Sequence, residues 1–192
     1  MTPKEEFIEI YKTYVTRDGA AELLAYLIDK SDFFTSPAST RFHLSEEGGL
    51  VLHSLHVYHR LRSLCQWQFG ENWQDTVSEE TVAICGLLHD VCKADTYKVD
   101  YRNVKNERGE WERRPYYTTD DKLPYGHGEK SVYIISGFMR LTREEALCIN
   151  WHMGGFDDRV RGGRNDIAGA YQRYPLAVLT HMADFSATYL DE

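Results

Sequence analysis

The sequence predicts an all-α protein with a small β-hairpin inserted between its helices. Apolar residues recur at helical spacing through most of the chain, and helix-capping signals precede several of these segments. One stretch, residues 97–121, instead alternates aromatic or apolar residues with charged ones, as a β-strand does. The chain has 192 residues without a linker-like segment or an internal repeat. We therefore expect a single domain over residues 1–192.

The N-terminal part predicts two short helices separated at Asp18-Gly19. Phe7, Tyr11 and Tyr14 share one helical face, and leucines repeat at helical spacing after the glycine. A long third helix should begin near Gly49, where the sequence GGLVLHSLHVYHRLRSLCQW again carries leucines at this spacing. This helix would hold three of the eight histidines of the chain.

A fourth helix should begin after Ser78. Serine is a favourable N-cap, and the two glutamates that follow it complement the positive end of the helix dipole. The helix would continue through VAICGLLHDV, with His89 and Asp90 in its last turn. Residues 97–117 should then form the hairpin, with a turn at 106–109.

Three further helices are expected, from the segments GEKSVYIISGFM, TREEALCINWHM and PLAVLTHMADFSATYL. Thr142 and Glu145 form a capping box before the second of them, and Pro175 occupies the first position of the third. The sequence RVRGGRND, residues 159–166, lies between these two helices. Its three arginines and two glycines indicate either a solvated loop or a loop that gathers phosphate.

Composition and charge exclude several functions. Asp and Glu total 30 against 22 Lys and Arg, and the net charge of -8 is a poor match to a long nucleic acid, although a local basic patch stays compatible. No stretch approaches the roughly 20 consecutive apolar residues of a membrane span. We therefore expect a cytoplasmic protein without a membrane partner. The four cysteines form no CxxC pair and are expected to be small buried hydrophobic residues.

Histidines and aspartates are the candidates for chemistry. Imidazole and carboxylate together suit Zn, Mn, Fe, Ni or Mg, and a mixed set is typical of an open catalytic site rather than a closed thiolate site. Taken singly, each residue is equally compatible with a structural role. The candidates in chain order are His53, His89, Asp90, His127, His152 and Asp184. The residues expected to lie beside the site rather than in it are His56, His59, His181 and Asp95.

The order and context of these residues resemble the HD-domain superfamily of metal-dependent phosphohydrolases. The similarity covers about residues 48–190 and depends on three motifs, GGL…HS around His53, LLHDxxK at His89-Asp90 and ADxxSA at Asp184. The resemblance implies an HD-domain helical bundle whose helices bring the ligands to a central metal site.

The resemblance also implies a role for each residue. The ligands of a first metal would be His53, His89, Asp90 and Asp184. The two histidines that members with two metals add would be His127 and His152, with Asp90 as the bridge. A carboxylate suits that position, because each of its two oxygens can bind one cation. Lys93 falls where such members place a lysine near the substrate phosphate, so Asp90 and Lys93 are the candidate catalytic residues.

The sequence departs from the family pattern at two places. Cys92 stands where many members have glycine. The insertion at 97–121 separates His89-Asp90 from His127 by more residues than in the shorter members, which puts the position of His127 in doubt.

The implied function is hydrolysis of a nucleotide or another small phosphate mono- or diester by metal-activated water. One or two divalent ions would serve, among Mn, Mg, Fe, Ni, Co and Zn. The expected phosphate-binding residues are Lys93, Arg159, Arg161 and Arg164. Two alternatives remain, a nuclease or cyclic-dinucleotide phosphodiesterase of the same superfamily, and a non-catalytic nucleotide-binding module. The aromatic and basic residues of the hairpin either stack on a nucleobase or pack on the helical body, and a homo-oligomer is compatible with the sequence.

Overall fold

The computed structural model describes residues 1–192, of which 57% are helical. The nine α-helices are α1 (Pro3–Tyr14), α2 (Ala20–Asp29), α3 (Gly49–Phe69), α4 (Glu79–Leu88), α5 (His127–Ser136), α6 (Arg143–Asn150), α7 (Asp158–Arg161), α8 (Asp166–Arg173) and α9 (Pro175–Ser186). The two strands are β1 (Tyr97–Lys105) and β2 (Trp111–Thr119). A mainly helical chain with one small hairpin is therefore confirmed.

The core forms around α3 and α4. A cluster of 34 buried apolar residues joins the helices, and α3 packs against both α4 and α9. Every residue of α4 from Val82 to Leu88 is buried, as expected for a helix that is covered on all sides. Gly86 makes the contact between α3 and α4 this close, because a Cβ atom there would lie 2.6 Å from the Cα atom of Tyr58.

The helix ends follow the capping signals of the sequence. The Ser78 side chain accepts a hydrogen bond from the backbone N–H of Thr81, and Thr142 and Glu145 form the expected capping box. Pro175 is the first residue of α9. The backbone N–H at this position has no partner within a helix, so proline, which lacks it, costs no hydrogen bond.

The end of α4 differs from the expectation. His89 keeps helical dihedral angles but is the C-cap residue, and Asp90 has already left the helix with φ -105° and ψ 18°. The chain continues as a short 3₁₀ turn over Val91–Lys93, in which the backbone N–H of Lys93 donates to the carbonyl of Asp90. The prediction that Asp90 lies in the last helical turn was therefore wrong. The change of backbone direction turns the adjacent side chains of His89 and Asp90 toward one region, which a regular helix would not allow.

The segment at 159–166 is not simply a loop. Asp157 caps α7 by accepting from the backbone N–H of Arg159, and a turn with Gly163 at φ 92° leads into α8. The sequence analysis did not predict α8. Its buried Ala170 and the half-buried Ile167 and Tyr171 are spaced as on one helical face.

The hairpin has a regular antiparallel register from Tyr97 opposite Thr119 to Lys105 opposite Trp111. In its turn, the Asn106 side chain accepts from the backbone N–H groups of Arg108 and Glu110, and Gly109 supplies the positive φ of 79°. None of the nine helices combines the length and the apolar composition that crossing a bilayer requires.

The tight contact between α3 and α4 generates a stability prediction. We expect Gly86→Ala to lower the free energy of unfolding by about 1–3 kcal/mol, because the added methyl group overpacks against backbone atoms of α3. Gly169→Ala in α8 is the matched control, since its Cβ meets no atom within 4 Å and should raise the helix propensity. Urea unfolding followed by circular dichroism measures both, and equal midpoints would contradict the packing explanation.

Candidate metal centre

The six candidate ligands converge from five separate segments. His53 lies in the buried part of α3, His89 and Asp90 follow α4, and Asp184 belongs to α9. His127 is the first residue of α5, and His152 comes two residues after the end of α6. The insertion before α5 has therefore not moved His127 away from the cluster.

One half of the cluster surrounds Oδ2 of Asp90. The Nε2 atoms of His53 and His89 each lie 3.5 Å from this oxygen, and they are 3.2 Å from each other. Asp184 closes this half, with its Oδ1 atom 3.2 Å from Nε2 of His53 and 3.9 Å from Nε2 of His89. Ligand atoms of His53, His89 and Asp184 lie within 4.8 Å of one another, a spacing that could hold a metal ion.

The other half surrounds Oδ1 of Asp90. Nε2 of His127 is 2.7 Å from this oxygen, and Nε2 of His152 is 3.3 Å from it. The two oxygens of a single carboxylate thus face two different pairs of imidazoles. Cys92 adjoins the second half, with its sulfur 3.6 Å from Nδ1 of His127.

Gly128 explains how α5 approaches the end of α6 closely enough to build this half. A Cβ atom at position 128 would lie 2.4 Å from the carbonyl oxygen of Asn150. The glycine in GHG therefore lets His127 lie beside His152, with ring centroids 5.2 Å apart.

In His89 and His152, hydrogen bonds at the far side of the ring aim Nε2 into the cluster. Nδ1 of His89 donates to the carbonyl of Gly86 at 2.9 Å, and Nδ1 of His152 donates to the carbonyl of Ile149 at 2.7 Å. A carbonyl only accepts, so the proton is on Nδ1 and the lone pair of Nε2 is free, which is the arrangement that metal-ligating histidines have. Nε2 of His152 is buried without a hydrogen-bond partner. A metal ion would satisfy this atom, so the residues fit such a group.

The charges in the cluster shift its pKa values in opposite directions. Burial disfavours the charged form of His53, but hydrogen bonds to Asp184 and Glu192 outweigh it and raise the pKa to about 9. Burial likewise opposes ionisation of Asp90, yet the charges of Lys93 and the neighbouring histidines hold its pKa well below the usual range. The His89 pKa is lowered, chiefly by burial. Binding of a metal would therefore displace protons held by the imidazoles.

Lys93 lies inside the cluster rather than on the surface. Its Nζ atom is 2.6 Å from Oδ2 of Asp90, and its side chain is 12% exposed. Burial opposes the charged form, but the charge of Asp90 outweighs this and raises the pKa of Lys93. Lys93 is thus a fixed cation beside the shared carboxylate.

A cavity of about 620 Å³ opens onto the cluster, and its lining includes Asp90, Lys93, His127 and Asp184. Of the three candidate arginines, Arg161 also lines this cavity. Arg164 lies elsewhere, exposed and paired with Asp166. Arg159 lines a neighbouring cavity of about 370 Å³ that shares Lys93 and His127 with the first.

Arg159 is held by its neighbours in that position. Its guanidinium donates to Asp157 and to the carbonyl of Asn150, forms an ion pair with Glu129 at 2.7 Å, and stacks on Trp151. The structure brings Arg161, but neither Arg159 nor Arg164, to the cavity that holds Asp184.

Sequence analysis missed two residues beside the site, Glu192 and His43. Oε1 of Glu192 accepts from Nδ1 of His53 at 2.9 Å and also contacts Nδ1 of His56 at 3.0 Å. Burial raises the Glu192 pKa, but these two histidines outweigh it and lower it to about 2. The ring of His43 packs 5.0 Å from that of His53. Glu192 lies far from His53 in the sequence, and His43 belongs to the irregular segment before α3, where helical periodicity does not apply.

Of the other polar residues that the sequence singled out, His181 lines the cavity beside the cluster, whereas His59 is an exposed surface residue outside it. His181 donates from Nδ1 to the carbonyl of His152, and His59 pairs with Glu6 at the surface. Asp95 accepts from the backbone N–H of Asp32, which anchors the chain after the 3₁₀ turn.

Comparisons of this chain with models of protein families, with curated proteins and with solved structures find no match. The residues of the site themselves therefore indicate which metal ions it can bind. Imidazoles and carboxylates arranged around the two oxygens of Asp90 suit a divalent first-row ion or Mg²⁺, and they leave room for water or substrate oxygens.

The shared carboxylate generates a prediction about metal binding. We expect the wild-type chain to bind Mn²⁺ in isothermal titration calorimetry, and Asp90→Asn to weaken binding by more than roughly 100-fold, because an amide offers a single neutral oxygen where two charged ones meet the imidazoles. Asp29→Asn, at an exposed helix end, is the control. Undiminished affinity in Asp90→Asn would remove Asp90 from the site.

The contact between Glu192 and His53 generates a second prediction. Glu192→Ala should weaken Mn²⁺ binding by roughly 10- to 100-fold, since His53 loses the partner that orients its ring. Glu192→Gln keeps an acceptor oxygen and should lose less. The same calorimetric titration measures both variants, and identical affinities for all three proteins would show that this contact does not orient the ligand.

Proposed function

We propose that this chain is a metal-dependent phosphohydrolase of the HD-domain type, which cleaves a nucleotide or another small phosphate mono- or diester. The observation that carries the proposal is the position of Asp90. Its two oxygens face separate pairs of imidazoles, and a buried lysine lies 2.6 Å away at the edge of an open cavity. A site for one or two divalent ions requires a buried carboxylate that is surrounded by imidazoles in this way.

The order of the ligands along the chain supports the HD-domain assignment. His53, the His89-Asp90 pair and Asp184 come from three helical segments in the order that the resemblance implies. His127 and His152 supply the additional half. The mainly helical architecture with a hairpin insertion is compatible with an HD bundle.

The residues divide the work of phosphate ester cleavage between them. His53, His89, Asp90 and Asp184 would hold one ion, and His127 and His152 with Asp90 would hold a second. Bound divalent ions lower the pKa of water toward neutrality and offset charge on the phosphoryl oxygens. This donor set accommodates any of six divalent ions, namely Mn, Mg, Fe, Ni, Co and Zn.

Lys93 and Arg161 bind the rest of the phosphate charge. Lys93 lines the cavity and keeps N–H donors beyond the one paired with Asp90, and Arg161 lines the same cavity beside Phe156. A fixed cation stabilises the charge that builds up on phosphoryl oxygens as the bond to the leaving group breaks. Its effect is greatest where water is scarce, and the burial of Lys93 meets this condition.

A phosphodiesterase is a compatible alternative, because two cavities adjoin the same cationic position. They share Lys93 and His127, so a phosphate at that position has space on both sides for a substituent. The alternative of a nucleotide-binding module without turnover is less well supported, because every ligand position of the HD pattern is filled.

The role of Lys93 gives the test of this function. With p-nitrophenyl phosphate and bis(p-nitrophenyl) phosphate as substrates and each of the six metals in turn, Lys93→Ala should lower kcat by roughly 10- to 1000-fold while metal content stays unchanged. Lys122→Ala, an exposed lysine near the hairpin, should retain the wild-type rate. Metal binding without turnover of either substrate under all six metals would favour the binding module instead.

A further inference from the structure

The hairpin β1–β2 is an unpartnered element. Its two strands pair only with each other, and 12 of their 18 residues are exposed. Among these are Trp111 at 69% and Tyr101 at 51%. Large aromatic side chains of this exposure indicate a binding surface when they share one face.

The register gives the hairpin two chemically different faces. Cross-strand partners such as Val99 and Tyr117, or Lys105 and Trp111, project to the same side. We call this side the aromatic face, and its members are Tyr97, Val99, Tyr101, Asn103, Lys105, Trp111, Arg113, Pro115, Tyr117 and Thr119. It carries four aromatic rings and two cations, and it has no carboxylate.

The opposite face mixes charges of both signs. Its members are Lys98, Asp100, Arg102, Val104, Glu112, Arg114, Tyr116 and Thr118. Here Arg114 pairs with Glu112, and the Tyr116 hydroxyl donates to Asp100. These cations are already neutralised in part, whereas those of the aromatic face have no acidic neighbour on that face.

The cations of the aromatic face are arranged around its rings. Nζ of Lys105 lies 5.3 Å from the centre of the Trp111 ring, and the guanidinium carbon of Arg113 lies 4.4 Å from the centre of the Tyr101 ring. Exposed rings interleaved with cations are suited to stacked bases and the phosphates between them.

The aromatic face begins at the candidate metal centre. Tyr97, the first residue of β1, lines the cavity of about 370 Å³ together with Lys93 and His127. From there the face extends outward by about 3.3 Å per residue along nine-residue strands, or roughly 26 Å. A ligand that covers it would therefore reach the cluster at one end.

We propose that the aromatic face binds single-stranded nucleic acid, with bases stacked on Tyr101 and Trp111 and phosphates paired with Lys105 and Arg113. Stacking accepts any base, and a duplex would hide those bases from the rings. The face is a local cationic surface on a chain of net charge -8, so it takes a short single strand rather than a long polyanion. Binding of this strand is independent of the proposed function. Its cleavage as a substrate rests on that function.

A second copy of the chain is a poorer occupant of this face. Two identical faces packed about a two-fold axis would bury the cations of Lys105 and Arg113 in the interface without a carboxylate from either face to compensate. The charges thus favour an anionic partner.

The two faces provide a matched pair of variants. Tyr101→Ala/Arg113→Ala removes one stacked tyrosine and arginine from the aromatic face, and Arg102→Ala/Tyr116→Ala removes the same pair from the opposite face, where the guanidinium lies 5.3 Å from the ring. Fluorescence anisotropy with labelled 12-residue oligo(dT) and oligo(U), and with a duplex of equal length, measures binding to the full chain at low salt without added metal.

We expect wild-type protein to bind the single strands more tightly than the duplex, with affinity that falls as salt rises. Tyr101→Ala/Arg113→Ala should lose roughly 10- to 100-fold in affinity, and the opposite-face variant less than about twofold. Trp111→Ala should lose affinity that Trp111→Phe retains, because phenylalanine keeps a ring. Circular dichroism spectra that match the wild type verify that each variant is folded.

Several results would overturn the proposal. These are absence of single-strand binding by the wild type, equal losses for both faces, preference for the duplex, or a change of oligomeric state in the aromatic-face variant. Preference for DNA or for RNA identifies the strand without affecting the proposal. Failure of the proposed function is distinguishable, because turnover of the small p-nitrophenyl esters needs the metal centre, whereas strand binding is measured without metal.

Discussion

The buried carboxylate of Asp90 is the group on which the site depends. An ionised carboxylate in the interior costs several kcal/mol unless opposite charges and hydrogen bonds compensate for it. Here Lys93 and the imidazoles of His53 and His127, whose pKa values are raised, provide this compensation, and they come from the turn after α4, from α3 and from α5. The same interaction therefore joins the helices and concentrates the polar groups that chemistry needs. A divalent ion would take over part of the compensation that protons on the histidines supply.

Helix ends and close helix contacts make this convergence possible. His89 and Asp90 face a common region because the helix stops between them, and His127 reaches the cluster because Gly128 lets α5 approach α6. Backbone carbonyls within three residues fix the rings of His89 and His152. Local backbone thus orients two of the four imidazoles, and Glu192 orients that of His53, which lies inside a regular helix.

Charge is distributed unevenly over the molecule. The chain is acidic overall, yet Lys93 and Arg161 lie at the cavity, and one face of the hairpin carries Lys105 and Arg113 among four aromatic rings without a carboxylate. Net charge alone would give a misleading picture of its ligands, because recognition of a phosphate depends on the field within about one Debye length, roughly 8–10 Å. Local arrangement of charge, rather than the total, is what makes a phosphorylated ligand compatible with an acidic protein.

The sequence by itself determined the helices that carry caps and apolar periodicity, the hairpin, and the residue types of the cluster. These features depend on neighbours within a few positions, so a single sequence expresses them. Only the tertiary structure decided which oxygen of Asp90 each imidazole faces, that Arg161 rather than Arg159 or Arg164 reaches the cavity, and that Glu192 and His43 lie beside His53. It also revealed α8 and the early end of α4. The contacts around Asp90 depend on side chains from separate elements that meet through packing, which no local pattern specifies, whereas α8 and the turn after α4 are local features that apolar periodicity had left unassigned.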